Sequence, residues 1–245
     1  MRIDEHTRLA DVVVAYPQTR TFLEELGLDY CCGGRQSLEE ACAARRLSPR
    51  ETAEQLRRAA EAHEAEQAGR PNLSDITLAE LVDYIVRTHH VFLRNQLPRL
   101  ADLHAKVRKA HQQRHGPMLT ALAGPFQKLR TDIEMHLAKE ENILFPLIRE
   151  MEAYVRGSGP EPMMHCGSIG NPIAQMEYEH EIAGTLLAEI RRITSDYQPP
   201  SDTCASFKAL YDGLRELEDN LHEHIHIENN ILFPKAMRLA DVKAV

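Results

Sequence analysis

The chain has no tryptophan, and only seven tyrosines and six phenylalanines among its 245 residues. Glycine and proline are sparse, 12 and 13, and cluster at a few places. Runs of alternating β-branched residues are missing, which argues against a sheet protein. No apolar stretch approaches the roughly 20 residues that a bilayer-spanning helix needs. Excess positive charge is also lacking. The formal net charge is −8, so neither nucleic-acid phosphates nor an anionic membrane surface would attract the chain. The basic stretch Lys106–Arg114 reads as a solvated helix end. The opening residues, MRIDEHTRLADVVV, carry acids and no signal-peptide apolar core, which places the protein in the cytoplasm. Five unevenly spaced cysteines make no disulfide framework; in a reducing compartment they are thiols or ligands.

What remains is rich in Leu, Ala, Glu and Arg, all good helix formers. Helix starts are marked by capping boxes at Ser37–Glu40, Ser48–Glu51 and Thr77–Glu80. Residues 1–62 read as a small domain of short helices. Within it, Gly27-Leu-Asp-Tyr-Cys-Cys-Gly-Gly34 predicts a tight turn presenting Cys31 and Cys32. Residues 63–76 turn polar, with Gly69 and Pro71, and read as a linker. Residues 77–245 predict four long helices: one from Thr77 to about His111, a break at His115-Gly116-Pro117, then about 118–153, 173–195 and 202–238. The fold class is therefore all-α, a four-helix bundle preceded by a small helical domain.

An internal repeat carries the chemistry. Residues 136–146 read HLAKEENILFP and residues 224–234 read HIHIENNILFP. His180 in the third helix echoes His90 in the first. Positions i and i+4 share a helix face, so His136 pairs with Glu140 and His224 with Glu228. Steps of three and four place these residues in apolar stripes. The second helix carries Leu122, Phe126, Leu129, Ile133, His136, Glu140, Ile143 and Leu147; the third carries Ile173, Met176, His180, Ala183, Leu187 and Ile190. The fourth stripe is Phe207, Leu210, Leu214, Leu217, Leu221, His224, Glu228 and Ile231. A carboxylate on a buried seam is costly unless paired or metal-bound. Four imidazoles and two bridging carboxylates, with an oxo or hydroxo bridge, would give each of two metals five ligands and leave one position open. Such donors suit iron, manganese or zinc. In the first helix the stripe Leu78, Val82, Ile85, Phe92 points to His89, whereas Val86, Leu93, Leu97, Leu100 points to His90. Periodicity leaves both open.

These residues resemble a known family. The bundle half looks like a hemerythrin-like domain. Joined to Asp29-Tyr-Cys-Cys-Gly-Gly34, it resembles the RIC family of di-iron proteins, which repair iron centres. The resemblance implies a hemerythrin-like bundle holding two iron ions, oxo- or hydroxo- and carboxylate-bridged. It implies His90, His136, His180 and His224 as terminal ligands with Glu140 and Glu228 bridging. His90 is preferred because His90, Arg94, Leu97 and Pro98 match the family's first-helix pattern. Hemerythrins proper have more histidines and no second His-x-x-x-Glu, which favours the repair family over an oxygen carrier. The implied function is repair of iron–sulfur clusters damaged by nitrosative or oxidative stress, by supplying iron. The alternatives are an enzyme reducing or scavenging NO and a sensor of O2 or NO. The implied partners are damaged iron–sulfur proteins and NO or O2. The glycine turn and its cysteines would also suit a homodimer.

Cys31 and Cys32 read as iron-transfer or redox thiols, with Arg35 nearby to favour thiolate. Cys42, Cys166 and Cys204 read as isolated structural or surface residues, and Met163-Met-His165-Cys166 as a loop. Glu179 reads as a solvated helix face or as a partner of a ligand, and Glu141 as exposed. His222 and His226 lie about 200° around the helix from His224 and read as surface residues.

Overall fold

The computed structural model describes residues 3–62, 73–163 and 167–241. The expected linker at 63–76 falls mostly outside these residues, as do His165 and Cys166. Among the described residues the fold is helical, with only an isolated bridge between Arg8 and Ser37. No helix among them is long and apolar enough to cross a membrane.

The chain opens with α1 (Leu9–Ala15), a short 3-10 turn, α2 (Arg20–Glu25), α3 (Leu38–Arg45) and α4 (Pro49–Ala62). The capping boxes at Ser37 and Thr77 form as the sequence predicts, each side chain accepting from the amide three residues on. The bundle comprises α5 (Leu78–Ile85), α6 (Val91–Lys139), α7 (Phe145–Val155), α8 (Gly170–Ile193), α9 (Ala205–Ile227) and α10 (Phe233–Asp241).

These elements make four rods. The first two are joined at His111, whose φ −114°, ψ 18° interrupts α6. The chain reverses there: His104 Nε2 donates to the Leu119 carbonyl at 2.8 Å, and His90 meets Glu141. The break expected at His115–Pro117 is thus displaced, and Pro117 lies within helix. The third rod is α8, ended by Ser195, Asp196 and Tyr197 in the left-handed region. The fourth is α9 with α10.

Three rods contain a π turn: Val86–His90, Glu140–Leu144 and Glu228–Leu232. A π turn adds one residue and so shifts the helix face by one position. Beyond Glu140 this corrects the expected stripe. Ile143 is 53% exposed, and Leu144, Phe145 and Ile148 are buried instead. In the first rod it accounts for the two conflicting stripes. The upstream face ends on His89 and the downstream face begins on His90, so both are buried.

The bundle core has two layers. One holds Leu93, Leu97, Leu129, Ile133, Leu187, Leu214 and Leu221, among others. The other holds Leu78, Ile85, Phe145, Ile148, Met176, Ile231 and Phe233. On each rod the boundary between layers falls at the polar residues of interest. A third cluster, including Leu9, Val12, Leu23, Leu38 and Leu56, belongs to α1–α4 and packs on Ile225 of α9.

Candidate metal centre

Each rod contributes to a polar centre between the apolar layers. The π turns place His90, Glu140 and Glu228 at their ends, while His136, His180 and His224 come from regular helix. All six are buried, and Glu140 and Glu228 are 0% exposed. Their donor atoms form two groups, each within 4.8 Å: His90, Glu140, His224 and Glu228; and His136, Glu140, His180 and Glu228. The two carboxylates are shared by both groups. That is the pattern of a paired-metal site with bridging carboxylates.

The donor atoms face one another. His136 and His180 approach Nε2 to Nε2 at 3.1 Å. Glu140 lies 3.3 Å from both His90 Nε2 and His136 Nε2, and Glu228 lies 3.0 Å from His224 Nε2 and 3.2 Å from His180 Nε2. These approaches permit electrostatic attraction, yet both carboxylates' oxygens and the Nε2 atoms of His90 and His224 lack hydrogen-bond geometry to any group. Buried carboxylates without hydrogen bonds are costly. A pair of divalent cations would offset that cost, and the mixed nitrogen and oxygen donors suit iron, manganese or zinc. The residues present therefore fit a metal pair.

The other ring nitrogens are held from behind, as metal-binding imidazoles usually are. His90 Nδ1 donates to Glu141 Oε1 at 2.7 Å, His136 Nδ1 to Glu179 Oε2 at 2.9 Å, and His180 Nδ1 to Asn229 Oδ1 at 2.8 Å. His224 differs: its Nδ1 has no such partner, and its ring stacks on His89 at 5.5 Å. His89 donates from Nδ1 to Asn220 and stands outside both donor groups. Burial, then the neighbouring His224, push its pKa down to about 3, so it stays neutral.

Burial opposes every charge in the centre. Against it, Glu140 and Glu179 push His136 up to about 10. Surrounding histidines hold Glu140 below and Glu228 well below the ordinary carboxylate value, despite burial and, for Glu140, the adjacent Glu228. Glu179 is lowered to about 2, chiefly by His136, with burial opposing and Lys139 assisting.

Several sequence expectations need correction. Glu141 is not a free surface residue; it bridges His90 and Arg94. Glu179 orients His136 rather than facing only solvent. His226 is buried against the Tyr30 ring at 5.3 Å, and His222 is half-buried. The α1–α4 region covers that face of α9, and helical phase cannot reveal this. One sequence signal could have found two of the partners. The residue following each glutamate of the repeat, Glu141 or Asn229, holds the single histidine of its own half.

The thiol turn forms, but it presents only Cys32, which is half-buried; Cys31 is buried. Asp29 Oδ1 accepts from the Cys31 and Cys32 amides at 3.0 Å and from Cys31 Sγ at 3.1 Å. The two sulfurs lie 4.0 Å apart. A Cβ on Gly34 would sit 2.3 Å from the Tyr30 carbonyl oxygen, so only glycine fits. Arg35 does not activate these thiols; it pairs with Glu177 at 2.7 Å. Contact with Cys32, then burial and Asp29, hold the Cys31 thiol well above its ordinary value. The turn borders a groove of about 660 Å³ lined by Glu24, Glu181, Gly184 and Glu218 as well. Cys204, at the far end of the bundle, is exposed and lies 3.2 Å from His111 Nε2.

Comparison with known proteins gives a consistent result. The Hemerythrin HHE cation binding domain matches residues 81–236, and a domain of unknown function, DUF542, matches residues 5–60. The iron-sulfur cluster repair protein YtfE of Enterobacter sp. (strain 638) is 35% identical over 229 residues, covering 94% of this chain and 96% of its own. That of Musicola paradisiaca is 36% identical over 234 residues with the same coverage, and that of Escherichia coli O17:K52:H18 is 34% identical over 229 residues. By this likeness along nearly its whole length, the chain belongs to the YtfE family of iron-sulfur cluster repair proteins, with a hemerythrin HHE domain as its bundle.

Proposed function

We propose that this is a non-haem di-iron protein that repairs iron–sulfur clusters damaged by nitrosative or oxidative stress, by supplying iron. His90, His136, His180 and His224 would hold the metals together with Glu140 and Glu228, whose carboxylates both histidine pairs share. One observation carries the reading: two buried carboxylates are shared between two histidine pairs, with none of their oxygens hydrogen bonded. The relatives' function as repair proteins and the cation-binding bundle support it. Two iron ions with an oxo or hydroxo bridge would supply a redox-active, exchangeable metal pair with a position open to NO or O2. The chain's own residues hold that pair away from water between two apolar layers. Glu141, Glu179 and Asn229 keep the Nδ1 of His90, His136 and His180 protonated and so leave their Nε2 atoms free to bind. Cys31 and Cys32, at the edge of the acidic groove, serve as the exit for iron toward a damaged cytoplasmic protein. In this reading residues 1–62 form the delivery unit and residues 77–245 the iron-holding unit, joined by the linker at 63–76.

The test uses the full chain. Wild-type protein purified without added metal should contain two iron ions and restore activity to a nitrosylated iron–sulfur enzyme. Cys31→Ser/Cys32→Ser should keep the iron and lose repair, and Glu140→Gln/Glu228→Gln should lose both. Undiminished repair by the glutamine variant would refute the reading.

A further inference from the structure

The thiol turn holds a third donor beside its two cysteines. Asp29, Cys31 and Cys32 offer a carboxylate oxygen and two sulfurs, and these atoms lie within 4.8 Å of one another. None of the three belongs to either donor group of the paired centre. The sulfurs are 4.0 Å apart, and Cys31 Sγ is 3.1 Å from Asp29 Oδ1. Thiolate–zinc bonds are about 2.3 Å long, so a tetrahedral ion of that size holds two sulfurs about 3.8 Å apart. The turn needs only a small shift to grip such an ion. Its backbone sets the donors in place beforehand. Asp29 Oδ1 accepts from the amides of Cys31 and Cys32, which leaves Oδ2 out of the turn's own bonding. Gly33 stands beside that oxygen, and a Cβ there would come within 3.3 Å of it. Gly184 of α8 stands beside the other end, and a Cβ there would meet Cys32 Sγ at 4.0 Å. Glycine weakens a helix interior; here it keeps larger side chains off the thiol.

All three donors line the groove of about 660 Å³. Its walls carry six carboxylates, Glu24 and Glu181 among them, against two guanidinium groups, Arg45 and Arg191. Such a groove draws in cations. The same crowding of negative groups keeps the Cys31 thiol protonated when no cation is present, through contact with Cys32, then burial and Asp29. Cysteine binds metal as thiolate, so an entering cation displaces the thiol protons, which pass to solvent. Two thiolates and one carboxylate suit a divalent ion of intermediate softness, ferrous iron or zinc. They do not suit calcium or magnesium, which take oxygen donors. Three protein donors leave a fourth position open, on the side of the groove. An open site of this kind suits exchange better than storage.

We propose that Asp29, Cys31 and Cys32 form a further metal site that takes up one divalent cation of the ferrous iron or zinc class, separate from the paired centre and open to the acidic groove. Its use for iron rests on the repair reading above, in which the turn is the exit for iron. There the ion is cargo. The carboxylate and both thiolates hold it until a ligand of the recipient fills the open position and draws it away. The role of Asp29 is new in this account, because the thiols alone would leave the ion with two protein donors.

The test is titration of the metal-free, full-length protein with cobalt(II), whose bonds to thiolate give a charge-transfer absorption that imidazole and carboxylate do not. Wild type should bind three equivalents, one of them with the thiolate band. Cys31→Ser/Cys32→Ser should bind two and show no band. Glu140→Gln/Glu228→Gln should bind one and keep the band. Asparagine can still accept from both amides, so Asp29→Asn preserves the turn. It should weaken the band-forming ion at least about tenfold, the least that loss of even an outer-shell partner costs. The wild-type titration alone decides the matter should a variant fold poorly. Two equivalents in wild type without a band would overturn this site and leave the paired centre standing. A band that survives in Cys31→Ser/Cys32→Ser, or is lost from folded Glu140→Gln/Glu228→Gln, would also overturn it. Full affinity in Asp29→Asn would remove Asp29 from the site. A single equivalent in wild type, with the band, would instead overturn the di-iron reading and not this site.

Discussion

Replacing both buried glutamates, Glu140→Gln/Glu228→Gln, should destabilise the metal-free protein and abolish its response to metal. Both residues are 0% exposed, and the histidines around them hold both carboxylates below their ordinary value in spite of burial. A carboxylate whose pKa is lowered on folding stabilises the fold above its unfolded value, and the same attraction helps push His136 up to about 10. Glutamine has nearly the same shape but carries no charge, so that attraction is lost. Breaking a buried charge pair from one side costs about 3–5 kcal/mol. In a chain of this length each kcal/mol lowers Tm by about 2–4 °C. Metal widens the difference. Free metal at a thousandfold excess over Kd stabilises the wild type by about 4 kcal/mol per site and the variant not at all. Calorimetry with and without iron, with metal analysis of the same samples, reads both effects. Should the variant be as stable as wild type without metal, the histidines do not hold the carboxylates in their charged form. Should it still bind two equivalents, they are not ligands. Leu214→Ala serves as the comparison, losing about 2–5 kcal/mol whether metal is present or not.

Three further outcomes follow from single side chains. Gly34→Ala forces a Cβ to 2.3 Å from the Tyr30 carbonyl oxygen and should open the thiol turn to proteolysis, whereas Gly124→Ala, with nothing within 4 Å, should stabilise its helix by about 0.5–1 kcal/mol. Burial pushes the His226 pKa down to about 4, so its neutral form is favoured on folding. That stability is intact above the unfolded value near 6.5 and is lost as pH falls toward 4. Urea unfolding at pH 7 and pH 5 should differ by about 2 kcal/mol from this residue, and His226→Gln should flatten the difference; an unchanged slope would refute the assignment. Hydrogen bonding to His111 lowers the Cys204 thiol to about 7, so its alkylation should be half-maximal near pH 7 and move upward in His111→Ala.

Much of this protein is written in local spacing. Steps of three and four gave the bundle stripes, and the third-helix stripe from Ile173 to Ile190 is buried throughout. The capping boxes at Ser37 and Thr77 marked real helix starts, because a cap is satisfied within its own turn. The repeat HLAKEENILFP/HIHIENNILFP paired each histidine with a glutamate on one helix face without knowledge of any other rod.

Three matters belonged to the tertiary structure. The π turn at Val86–His90 sets which of two adjacent histidines reaches the centre, and an extra residue in a turn is invisible to a fixed period. The partners Glu141, Glu179 and Asn229 act between rods, so they depend on how the helices are rotated against one another. His226 faces away from the centre as its phase requires, yet it is buried because α1–α4 lies over it. Helical phase determines where a side chain points; only packing decides what stands there.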